Sequence, residues 1–579
     1  MDSSPVVLGI NRTADGSICL IGANPYIWSV QKERYTRRKH HWGKLNDFKD
    51  WYVKRLPELE TPLDLIVECY SSDPEVKRLE DYHQELREVL KFRGEPRIIR
   101  ISHHLAHLYS TFFLSSYKEA AVMVTDFQGS RVEDFTEEWP EQPEARPHWV
   151  EVASFYHCAP DGIRCFGKQL WDNDRLRPVG LGGFYNYLTH VIFAGRGMEG
   201  KVMGLAPFGD PDALGLPPLI VEDGQVFIPE EWQRIFGDRN RFRYFKDGRG
   251  TFEECANLAA AGQFCFEQAE LALVRWVHAQ TGSEVLCLAG GTALNCVANG
   301  RLLRESPFKD VFVPPSPHDG GTALGCALYG LIECLGVRGD FRWVNDFLAP
   351  EPKLDHVEAL LADDTSISAA QPANLIEEMV DLLESGRTIA LYYGRSELGP
   401  RALGHRSILA DPRHPSIRSW INKHVKGREL FRPLAPVVLE EDASDYFEID
   451  RPVPFMQYAV NVRPEKRDLI PAVTHIDGTA RLQTVSERED PFFYELLKAF
   501  KARTGVGVLL NTSFNGMGEP IVETPAEALV CFKSSALHAL VMPPYLVHKL
   551  SEPEIPARDE TESSRQEELQ FRPVAQAVQ

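Results

Sequence analysis

The sequence predicts an α/β protein. Short apolar runs typical of buried strands lead through glycine-containing turns into helical patterns, and this alternation recurs along most of the chain. The clearest case is the run 284–289, which passes through Gly290 and Gly291 into a helix. A chain of 579 residues corresponds to about two to four domains at roughly 150 residues per domain.

The first elements form a hairpin. The apolar runs 6–10 and 17–21 flank a segment rich in turn formers, which predicts two short antiparallel strands. Such a hairpin is either an ordinary one or one that covers a phosphate, as in actin-like nucleotide folds. The later elements expected along the chain are a helix over 84–93, a strand over 96–101, a helix over 103–114, a strand over 120–125, a long helix over 261–280, strands over 284–289 and 311–313, a helix over 319–334, and a strand over 506–510.

A domain boundary is expected within 336–355. This stretch mixes glycine, charged residues and two prolines before a new periodic segment begins near His356. The predicted division is a first domain over 1–345, a second over 356–550, and a tail over 551–579. The tail is acidic and rich in serine, glutamine and proline, so it is expected to be mobile.

Charge and composition argue against several partners. Lys and Arg number 63 and Asp and Glu 83, so the net charge is −20, which opposes binding to nucleic acid or to anionic membranes. No apolar run approaches the ~18 residues of a transmembrane helix, and the first residues do not look like a signal peptide. The 11 cysteines form no C-x-x-C pair, which argues against a zinc ribbon and predicts reduced thiols in a cytoplasmic protein.

Four residues suggest a metal site. His103 and His107 are four residues apart, which places both imidazoles on one face of a helix. Asp126 ends a buried strand and Asp319 begins a helix, positions where α/β folds place functional groups. Such a nitrogen and oxygen donor set suits Fe²⁺, Mn²⁺ or Zn²⁺. From spacing alone, a surface histidine pair and two helix-capping or strand-end aspartates remain the alternative.

Glycine loops suggest an anion or nucleotide site. Gly290, Gly291 and Asn295 follow one strand and Gly321 follows the next, and paired glycines let a helix N-terminus approach a phosphate. Lys201 lies in a further glycine-rich segment, where a tight turn is expected. Glycines that serve only close helix–strand packing are the alternative. The P-loop and Rossmann fingerprints are absent.

Residues 395–432 form a basic segment within an acidic chain. Nine basic residues stand there against three acidic ones. Arginine forks match phosphate oxygens, so a small polyphosphate is the expected ligand, and a solvated basic surface is the alternative. The nine are Arg395, Arg401, Arg406, Arg413, Arg418, Lys423, Lys426, Arg428 and Arg432.

An ordered set of motifs resembles a known family. The chain resembles the O-carbamoyltransferases of antibiotic and nodulation-factor biosynthesis, of the tobramycin and cephem type, over about residues 6 to 550. The motifs that carry the resemblance are Ser102-His103-His104-Leu105-Ala106-His107, Lys201-Val202-Met203-Gly204, Gly290-Gly291-Thr292-Ala293-Leu294-Asn295, Gly399-Pro400-Arg401-Ala402-Leu403-Gly404-His405-Arg406, Phe431-Arg432-Pro433 and Asn511-Thr512-Ser513-Phe514-Asn515.

The resemblance implies a two-domain, ATP-dependent enzyme. It implies an actin-like (ASKHA, duplicated RNase H-like) N-terminal domain and a YrdC-like α/β C-terminal domain. The C-terminal domain would form carbamoyl adenylate from carbamoyl phosphate and ATP, with Mg²⁺ accompanying ATP. The N-terminal domain would transfer the carbamoyl group to a hydroxyl of a natural product, such as a sugar hydroxyl, in antibiotic or other secondary metabolism.

The resemblance also assigns residues. It implies that His103, His107, Asp126 and Asp319 hold a metal, most often iron in the tobramycin type. It implies catalytic roles for Asp15, His40, Lys426 and Arg432, although the family usually has His-Asp where this chain has Ala14-Asp15. The residues that match the family's groups for carbamoyl phosphate and ATP are Arg401, Lys426, Arg428, Arg432, Arg481, Ser513 and Asn515.

Other functions are weighed against this one. A transferase of the tRNA threonylcarbamoyl type would have similar domains, but a charge of −20 makes tRNA a poor partner. The hydrogenase-maturation carbamoyltransferase has zinc fingers, which the missing C-x-x-C pairs exclude here. An actin-like nucleotide-binding regulator without chemistry is disfavoured by the intact Arg401, Lys426 and Arg432. The sequence does not indicate the acceptor or the oligomeric state.

Overall fold

The computed structural model describes residues 5–22, 27–70, 79–195, 197–238, 241–242, 250–339 and 341–555. From residue 556 onward, the tail that the sequence predicts to be mobile lies outside the described residues. The strands, numbered in chain order, are β1 (Val6–Asn11), β2 (Ser17–Gly22), β3 (Ile27–Gln31), β4 (Leu65–Cys69), β5 (Ile98–Ile101), β6 (Ala120–Thr125), β7 (Val150–Ala159), β8 (Gly162–Trp171), β9 (Ile220–Glu222), β10 (Gln225–Phe227), β11 (Val285–Ala289), β12 (Asp310–Phe312), β13 (Ile367–Ala370), β14 (Ile389–Tyr392), β15 (Arg406–Ala410), β16 (Ala435–Leu439), β17 (Ala459–Asn461), β18 (Thr479–Arg481), β19 (Gln483–Val485), β20 (Val508–Ser513), β21 (Ala539–Met542) and β22 (Tyr545–Lys549).

Helices cover these strands. The α-helices are α1 (Lys32–Thr36), α2 (Val53–Arg55), α3 (Leu79–Val89), α4 (His103–Phe112), α5 (Gly180–Phe193), α6 (Glu199–Leu205), α7 (Glu230–Gly237), α8 (Phe252–Thr281), α9 (Cys296–Glu305), α10 (Thr322–Tyr329), α11 (Leu354–Asp363), α12 (Leu375–Glu384), α13 (Ser416–Trp420), α14 (Ala443–Tyr446), α15 (Pro491–Thr504) and α16 (Pro525–Ser534).

The part of the chain before residue 313 builds two five-stranded mixed sheets. Their strand orders are β3-β2-β1-β4-β5 and β12-β11-β6-β7-β8. The predicted hairpin is confirmed, since β1 and β2 pair antiparallel, while β1, β4 and β5 run parallel. In the second sheet β6, β11 and β12 run parallel. Strand β6 is buried on both faces, which explains its continuous apolar sequence.

Two helices join these sheets. Helix α10 packs on β1 and β4, helix α4 packs on β6 and β11, and the two helices pack on each other. The contact is close: a Cβ on Gly9 would lie 1.9 Å from the carbonyl oxygen of Ala323, and one on Gly325 would lie 1.8 Å from that of Ala106. Backbone therefore touches backbone, which brings the starts of α4 and α10 together.

The part of the chain from residue 367 builds one eight-stranded mixed sheet. Its strand order is β13-β22-β21-β14-β15-β20-β16-β19. Met379 and Leu383 of α12 and Phe493 and Leu497 of α15 form a core with strands of this sheet. The structure confirms an α/β protein with mixed sheets. The sheets change between Phe312 and Ile367, around the predicted boundary, but the domain division itself stays a prediction.

The two parts are packed against each other. A Cβ on Gly300 in α9 would lie 1.9 Å from the carbonyl oxygen of Ala459 in β17. The Asn299 amide donates to the Gln457 carbonyl at 2.9 Å, and the Gln457 amide donates to the Pro314 carbonyl at 2.6 Å. Sites in the two parts are therefore held in a fixed relation.

Three expected elements differ from the structure. The helix expected over 84–93 is α3, which covers Leu79–Val89. Helix α8 begins at Phe252 rather than at 261, because Thr251 and Glu254 form a capping box that starts the helix earlier. The predicted tight turn around Lys201 is wrong, since α6 runs through it. The predicted helix over 319–334 is confirmed as a 3-10 turn at Asp319–Gly321, α10, and a π turn at Gly330–Cys334. All 11 cysteines are free thiols.

Within the described part of the chain, every helix is too short or too polar to cross a membrane.

Candidate active site

The two helices and two connecting loops bring four side chains to one point. His103 and His107 lie in the first two turns of α4, Asp126 follows β6, and Asp319 starts the turn before α10. Their ligand atoms all lie within 4.8 Å of one another. We call this group the histidine–aspartate cluster. The structure thus gathers the four predicted ligands, and their binding of a metal stays a prediction.

The spacing of the cluster suits one ion. The two Nε2 atoms are 3.2 Å apart, and they lie 3.3 and 3.7 Å from Asp319 Oδ1 and 3.9 and 3.4 Å from Asp126 Oδ2. Donor atoms ~2.1 Å from a central ion at tetrahedral angles lie about 3.4 Å apart. Among the described residues, no hydrogen-bond donor satisfies Asp126 Oδ2, although the atom is buried. The residues present therefore fit a divalent metal.

In each of the two carboxylates, the oxygen that faces away from the imidazoles accepts a hydrogen bond that holds it in place. Thr13 Oγ1 donates to Asp319 Oδ2 at 2.7 Å, and the Phe127 N–H donates to Asp126 Oδ1 at 2.7 Å. The other oxygen of each carboxylate is thus left facing the imidazoles. Although burial opposes it, the carboxylates raise the pKa of His103 well above its ordinary value, and the imidazoles hold that of Asp319 well below.

A second polar pair lies beside this cluster. The Asn11 side-chain amide donates to the backbone carbonyls of Asp319 at 2.8 Å and Asp15 at 3.2 Å, which ties the β1–β2 loop to the cluster. Asp15 Oδ1 lies 2.8 Å from His40 Nδ1, and this contact chiefly raises the pKa of His40 to about 9. The His40 side chain is 49% exposed, so a substrate can reach it.

A cation cluster lies across the packed contact. It is formed by Lys39, Lys201, Arg401, Arg428, Arg432 and Arg481. Burial, and then the neighbouring Arg481, lower the pKa of Arg401 to about 9. Burial, with Arg432 beside it, likewise lowers the pKa of Arg428. These lowered pKa values indicate that the positive charges lie close together and repel one another. A bound anion would relieve this repulsion.

Lys39 belongs to this cluster by its neighbours. Lys39 is exposed, yet partial desolvation by the surrounding protein and the cations Arg432, Arg428 and Lys201 lower its pKa, against the opposing influence of Glu33. Glu429 offsets part of the charge, since it lies 2.8 Å from the Lys201 ammonium and 3.9 Å from the Arg432 guanidinium.

Lys426 is fixed next to the cluster. Its ammonium donates to Asn515 Oδ1 at 2.6 Å and to Ser513 Oγ at 3.3 Å, and it also contacts the Ser513 carbonyl. Ser513 Oγ donates to Asn515 Oδ1 at 2.7 Å. Burial, with Arg428 nearby, lowers the pKa of Lys426 well below its ordinary value. The polar strand-end loop predicted around Ser513 is therefore directly coupled to Lys426.

The expectation that all nine basic residues of 395–432 face an anion is wrong for three of them. Arg395 donates to the carbonyls of Ile27 and Leu348, both at 2.7 Å. Arg406 lies inside β15, donates to carbonyls, and stacks 3.8 Å from the Tyr392 ring centroid. Arg413 pairs with Asp411. Arg395 and Arg406 fasten the backbone through carbonyl acceptors that lie far from them in the sequence, whereas Arg413 is held by a carboxylate only two residues before it.

The glycine loops support the cluster through close packing. Gly290 has a φ of 89°, and a Cβ there would lie 2.1 Å from the Thr125 carbonyl oxygen. A Cβ on Gly321 would lie 2.1 Å from that of Ser316, and one on Gly291 would lie 3.1 Å from Asp126 Oδ1. Asn295 caps α9 and pairs with Gln263. These contacts account for the four residues, whose binding of a nucleotide stays a prediction.

The structure adds residues that sequence reasoning missed. Lys39 joins the cation cluster, and Asn11 and Thr13 orient Asp319. For Asn11 and Thr13, the sequence feature that could have indicated this role is only that both are polar residues in the hairpin turn. Lys39 precedes His40 in a basic run, and no motif or spacing in the sequence indicates that it lies near the other cations.

Family models and related sequences both place this chain among the carbamoyltransferases. The family description "Carbamoyltransferase N-terminus" matches residues 75–328, and "Carbamoyltransferase C-terminus" matches residues 380–549. Nodulation protein NolO of Bradyrhizobium diazoefficiens is 40% identical over 78% of this chain and 79% of its own length. Nodulation protein NolNO of Sinorhizobium fredii is 36% identical over 78% of this chain and 64% of its own length. An uncharacterized protein of Synechocystis is 31% identical over 95% of this chain and 97% of its own length.

Solved structures show weaker likeness. Full-length HypF in its phosphate- and nucleotide-bound form has a TM-score of 0.36 at 14% identity, over 58% of this chain and 56% of HypF. The activator of 2-hydroxyisocaproyl-CoA dehydratase from Clostridium difficile has a TM-score of 0.34 at 12% identity, over 57% of this chain and 96% of the activator. These scores are too low to assign a fold.

Proposed function

The chain belongs to the carbamoyltransferase family and is a carbamoyl-transferring enzyme, and from this premise we propose that it is an ATP-dependent O-carbamoyltransferase with two cooperating sites. The C-terminal part, a YrdC-like domain over 356–550, forms carbamoyl adenylate. The N-terminal part, an actin-like domain over 1–345, transfers the carbamoyl group to a hydroxyl of a natural product, such as a sugar hydroxyl. One observation carries the proposal: the cation cluster includes Lys39, and the next residue, His40, pairs with Asp15, whose backbone carbonyl shares the Asn11 amide with that of Asp319.

The first step is activation of the carbamoyl group. Water hydrolyses carbamoyl phosphate to carbamate and phosphate, and a carbamate oxygen then attacks the α-phosphorus of ATP, which releases pyrophosphate. The four arginines of the cation cluster offset the charge of the phosphates. Lys426, held by Ser513 and Asn515, presents its ammonium to a phosphoryl oxygen. Mg²⁺ is expected to accompany ATP.

The intermediate then passes from one site to the other. Lys39 contributes to the cation cluster, and the next residue, His40, hydrogen-bonds Asp15 beside Asp319. An adenylate whose phosphate follows these cations reaches the N-terminal site along the exposed side chains of Lys39 and His40, which the bound acceptor would have to cover. Exclusion of water matters because carbamoyl adenylate hydrolyses readily.

The second step is attack by the acceptor alcohol. Its oxygen bonds to the carbamoyl carbon, the bond from that carbon to the phosphate oxygen breaks, and AMP leaves. Asp15 accepts the hydroxyl proton while His40 is protonated, and His40 is itself a base above its pKa. Position 14 carries alanine and offers no proton acceptor, so this pair takes the role.

The histidine–aspartate cluster holds the metal in this proposal. The donor set suits Fe²⁺, Mn²⁺ or Zn²⁺, and the family resemblance makes Fe²⁺ the proposed ion. When bound, such an ion supplies Lewis acidity toward the phosphate and carbonyl oxygens of the adenylate. Thr13 and the Phe127 N–H keep the two carboxylates turned toward it, and Asn11 holds the backbone carbonyl of Asp319.

Pyrophosphate release without an acceptor tests the proposal. With ATP and carbamoyl phosphate, the purified chain should release pyrophosphate slowly, and omission of carbamoyl phosphate should abolish it. A nucleotide-binding regulator would release none under either condition, and that result would refute the proposal. Mass spectrometry with candidate natural products would then identify the acceptor by a gain of one carbamoyl group.

A further inference from the structure

A buried ion pair lies behind the helix that carries the two histidines. Glu151 of β7 and Lys168 of β8 are both fully buried, with Lys168 Nζ 2.5 Å from Glu151 Oε2. Lys168 also donates to Glu137 Oε1 at 2.8 Å and to Ser154 Oγ at 2.9 Å. Burial of a carboxylate costs free energy unless the group is paired and hydrogen-bonded. Glu151 is both, and this full set of partners indicates a structural role.

Glu151 caps the start of α4. Ser102 stands at the capping position, yet its side chain makes no cap bond to the helix. Glu151 Oε1 instead accepts the His104 N–H at 3.1 Å, and Ser130 Oγ accepts the His103 N–H at 2.8 Å. The first free N–H groups of a helix need such acceptors, and a carboxylate there also suits the helix dipole.

The same carboxylate holds the loop that follows Asp126. Glu151 Oε1 accepts the Ser130 N–H at 3.1 Å, and the Glu151 carbonyl accepts the Gly129 N–H at 2.8 Å. A Cβ on Gly129 would lie 2.8 Å from Glu151 Cγ and 2.9 Å from His104 Cδ2, so the Gly129 backbone packs directly against these two side chains. Glu151 therefore ties together the two segments that supply His103, His107 and Asp126.

We propose that Glu151, with Lys168 as its counter-ion, is the positioning residue that fixes the separation between the two imidazoles and the Asp126 carboxylate. The inference rests on the proposed metal centre. Two acceptor oxygens are needed, because Oε1 receives two backbone N–H groups while Oε2 receives Lys168. A glutamine has one acceptor oxygen and cannot serve both.

Titration of the metal-stripped full chain with Co²⁺ tests the inference. Glu151→Gln should weaken Co²⁺ binding about 10- to 100-fold and shift the visible absorption bands, which report on ligand geometry. Carbamoyl-phosphate-dependent exchange of labelled pyrophosphate into ATP should remain, because that step belongs to the C-terminal part. Co²⁺ affinity and spectrum equal to those of the wild type would overturn the inference.

Glu397→Gln is the matched control. Glu397 is also a buried carboxylate whose Oε1 accepts backbone N–H groups, those of Leu403, His405 and Arg406 at 2.8, 3.0 and 3.2 Å. It braces the loop that carries Arg401, so its replacement should lower exchange and leave Co²⁺ binding intact. Co²⁺ binding weakened equally in both variants would show a general loss of packing and would overturn the inference.

A second variant guards against misfolding. Glu151→Gln combined with Lys168→Met removes both charges of the 2.5 Å pair, and Glu137, the other partner of Lys168, keeps its hydrogen bonds from Ser102 Oγ and Tyr156 Oη. The double variant should fold, as judged by circular dichroism, and still bind Co²⁺ weakly; normal binding would refute the positioning role. A wild type that exchanges pyrophosphate but binds no Co²⁺ would refute the metal centre and this inference, while sparing the activation step.

Discussion

At the residue scale, the proposed transfer step depends on the hydrogen bond between Asp15 and His40. Asp15, 2.8 Å away, chiefly raises the pKa of His40 to about 9, and Glu33 raises it further while burial and Lys39 oppose the rise. Glu199 and His318 also face the imidazole. Because the folded-state pKa exceeds the ordinary value, the ion pair stabilises the fold fully below pH ~6.5, and this contribution is lost as the pH rises through about 9.

Replacement of Asp15 tests this pair. Asp15→Asn should lower the pKa of His40 toward ~6.5 and slow carbamoyl transfer, because the carboxylate that accepts the proton is gone. NMR titration of ¹³C-labelled histidine would follow His40. Glu33→Gln is the control and should shift the pKa of His40 less. A pKa that stays near 9 in Asp15→Asn would contradict the assignment.

Single residues were predictable from the sequence where a motif carried them. The family resemblance named His103, His107, Asp126 and Asp319 correctly as neighbours, although only the two histidines lie in a motif and spacing alone left all four ambiguous. Lys39, Thr13 and Glu151 were missed because their roles depend on partners distant in sequence. Arg406 was misjudged for the same reason, since its acceptors are backbone carbonyls.

Close contacts between elements assemble the site at the next scale. Strand β1 lies directly on the backbone of α10, and α10 on that of α4, through Gly9 and Gly325. Two glycines thus set the distance between Asp319 and the histidines. The strands and helices were predicted well because apolar periodicity is local, whereas these backbone approaches depend on how the elements pack.

Gly9→Ala should separate these elements. The added methyl would meet the Ala323 carbonyl oxygen at 1.9 Å, so α10 must move, at a cost of about 1–3 kcal/mol or more. Urea unfolding should show the lost stability, and Co²⁺ binding should weaken with it. Gly237→Ala, where a Cβ meets nothing within 4 Å, is the control and should be close to neutral. Unchanged stability in Gly9→Ala would contradict the packing described.

The start of α8 gives a separate test. Thr251 Oγ1 accepts the Glu254 N–H at 3.1 Å, and the Glu254 carboxylate accepts the Thr251 N–H at 2.9 Å. Thr251→Ala should therefore destabilise the protein by about 1 kcal/mol in urea unfolding. Thr251→Ser, which keeps the hydroxyl, should lose much less; equal losses would show that the cap contributes nothing.

At the scale of the whole molecule, several contacts pack the two parts against each other, among them α9 on β17 and the hydrogen bond from Arg34 to the Gly399 carbonyl. The α/β class and the change of sheet between the two parts followed from the order of local patterns. Strand order, the mixed direction of the sheets and the contact of α9 with β17 did not, because no local pattern encodes them. Together with the other contacts between the two parts, that contact fixes where the cation cluster lies relative to the N-terminal part, as the proposed transfer of an intermediate requires.

Exchange of labelled pyrophosphate into ATP, measured with carbamoyl phosphate and without acceptor, tests the division of labour most directly. Lys426→Ala should abolish exchange yet retain bound metal. His107→Ala should lose metal and carbamoyl transfer yet keep exchange near the wild-type rate. Loss of exchange in a folded His107→Ala variant, or wild-type exchange that does not need carbamoyl phosphate, would contradict the two-site account.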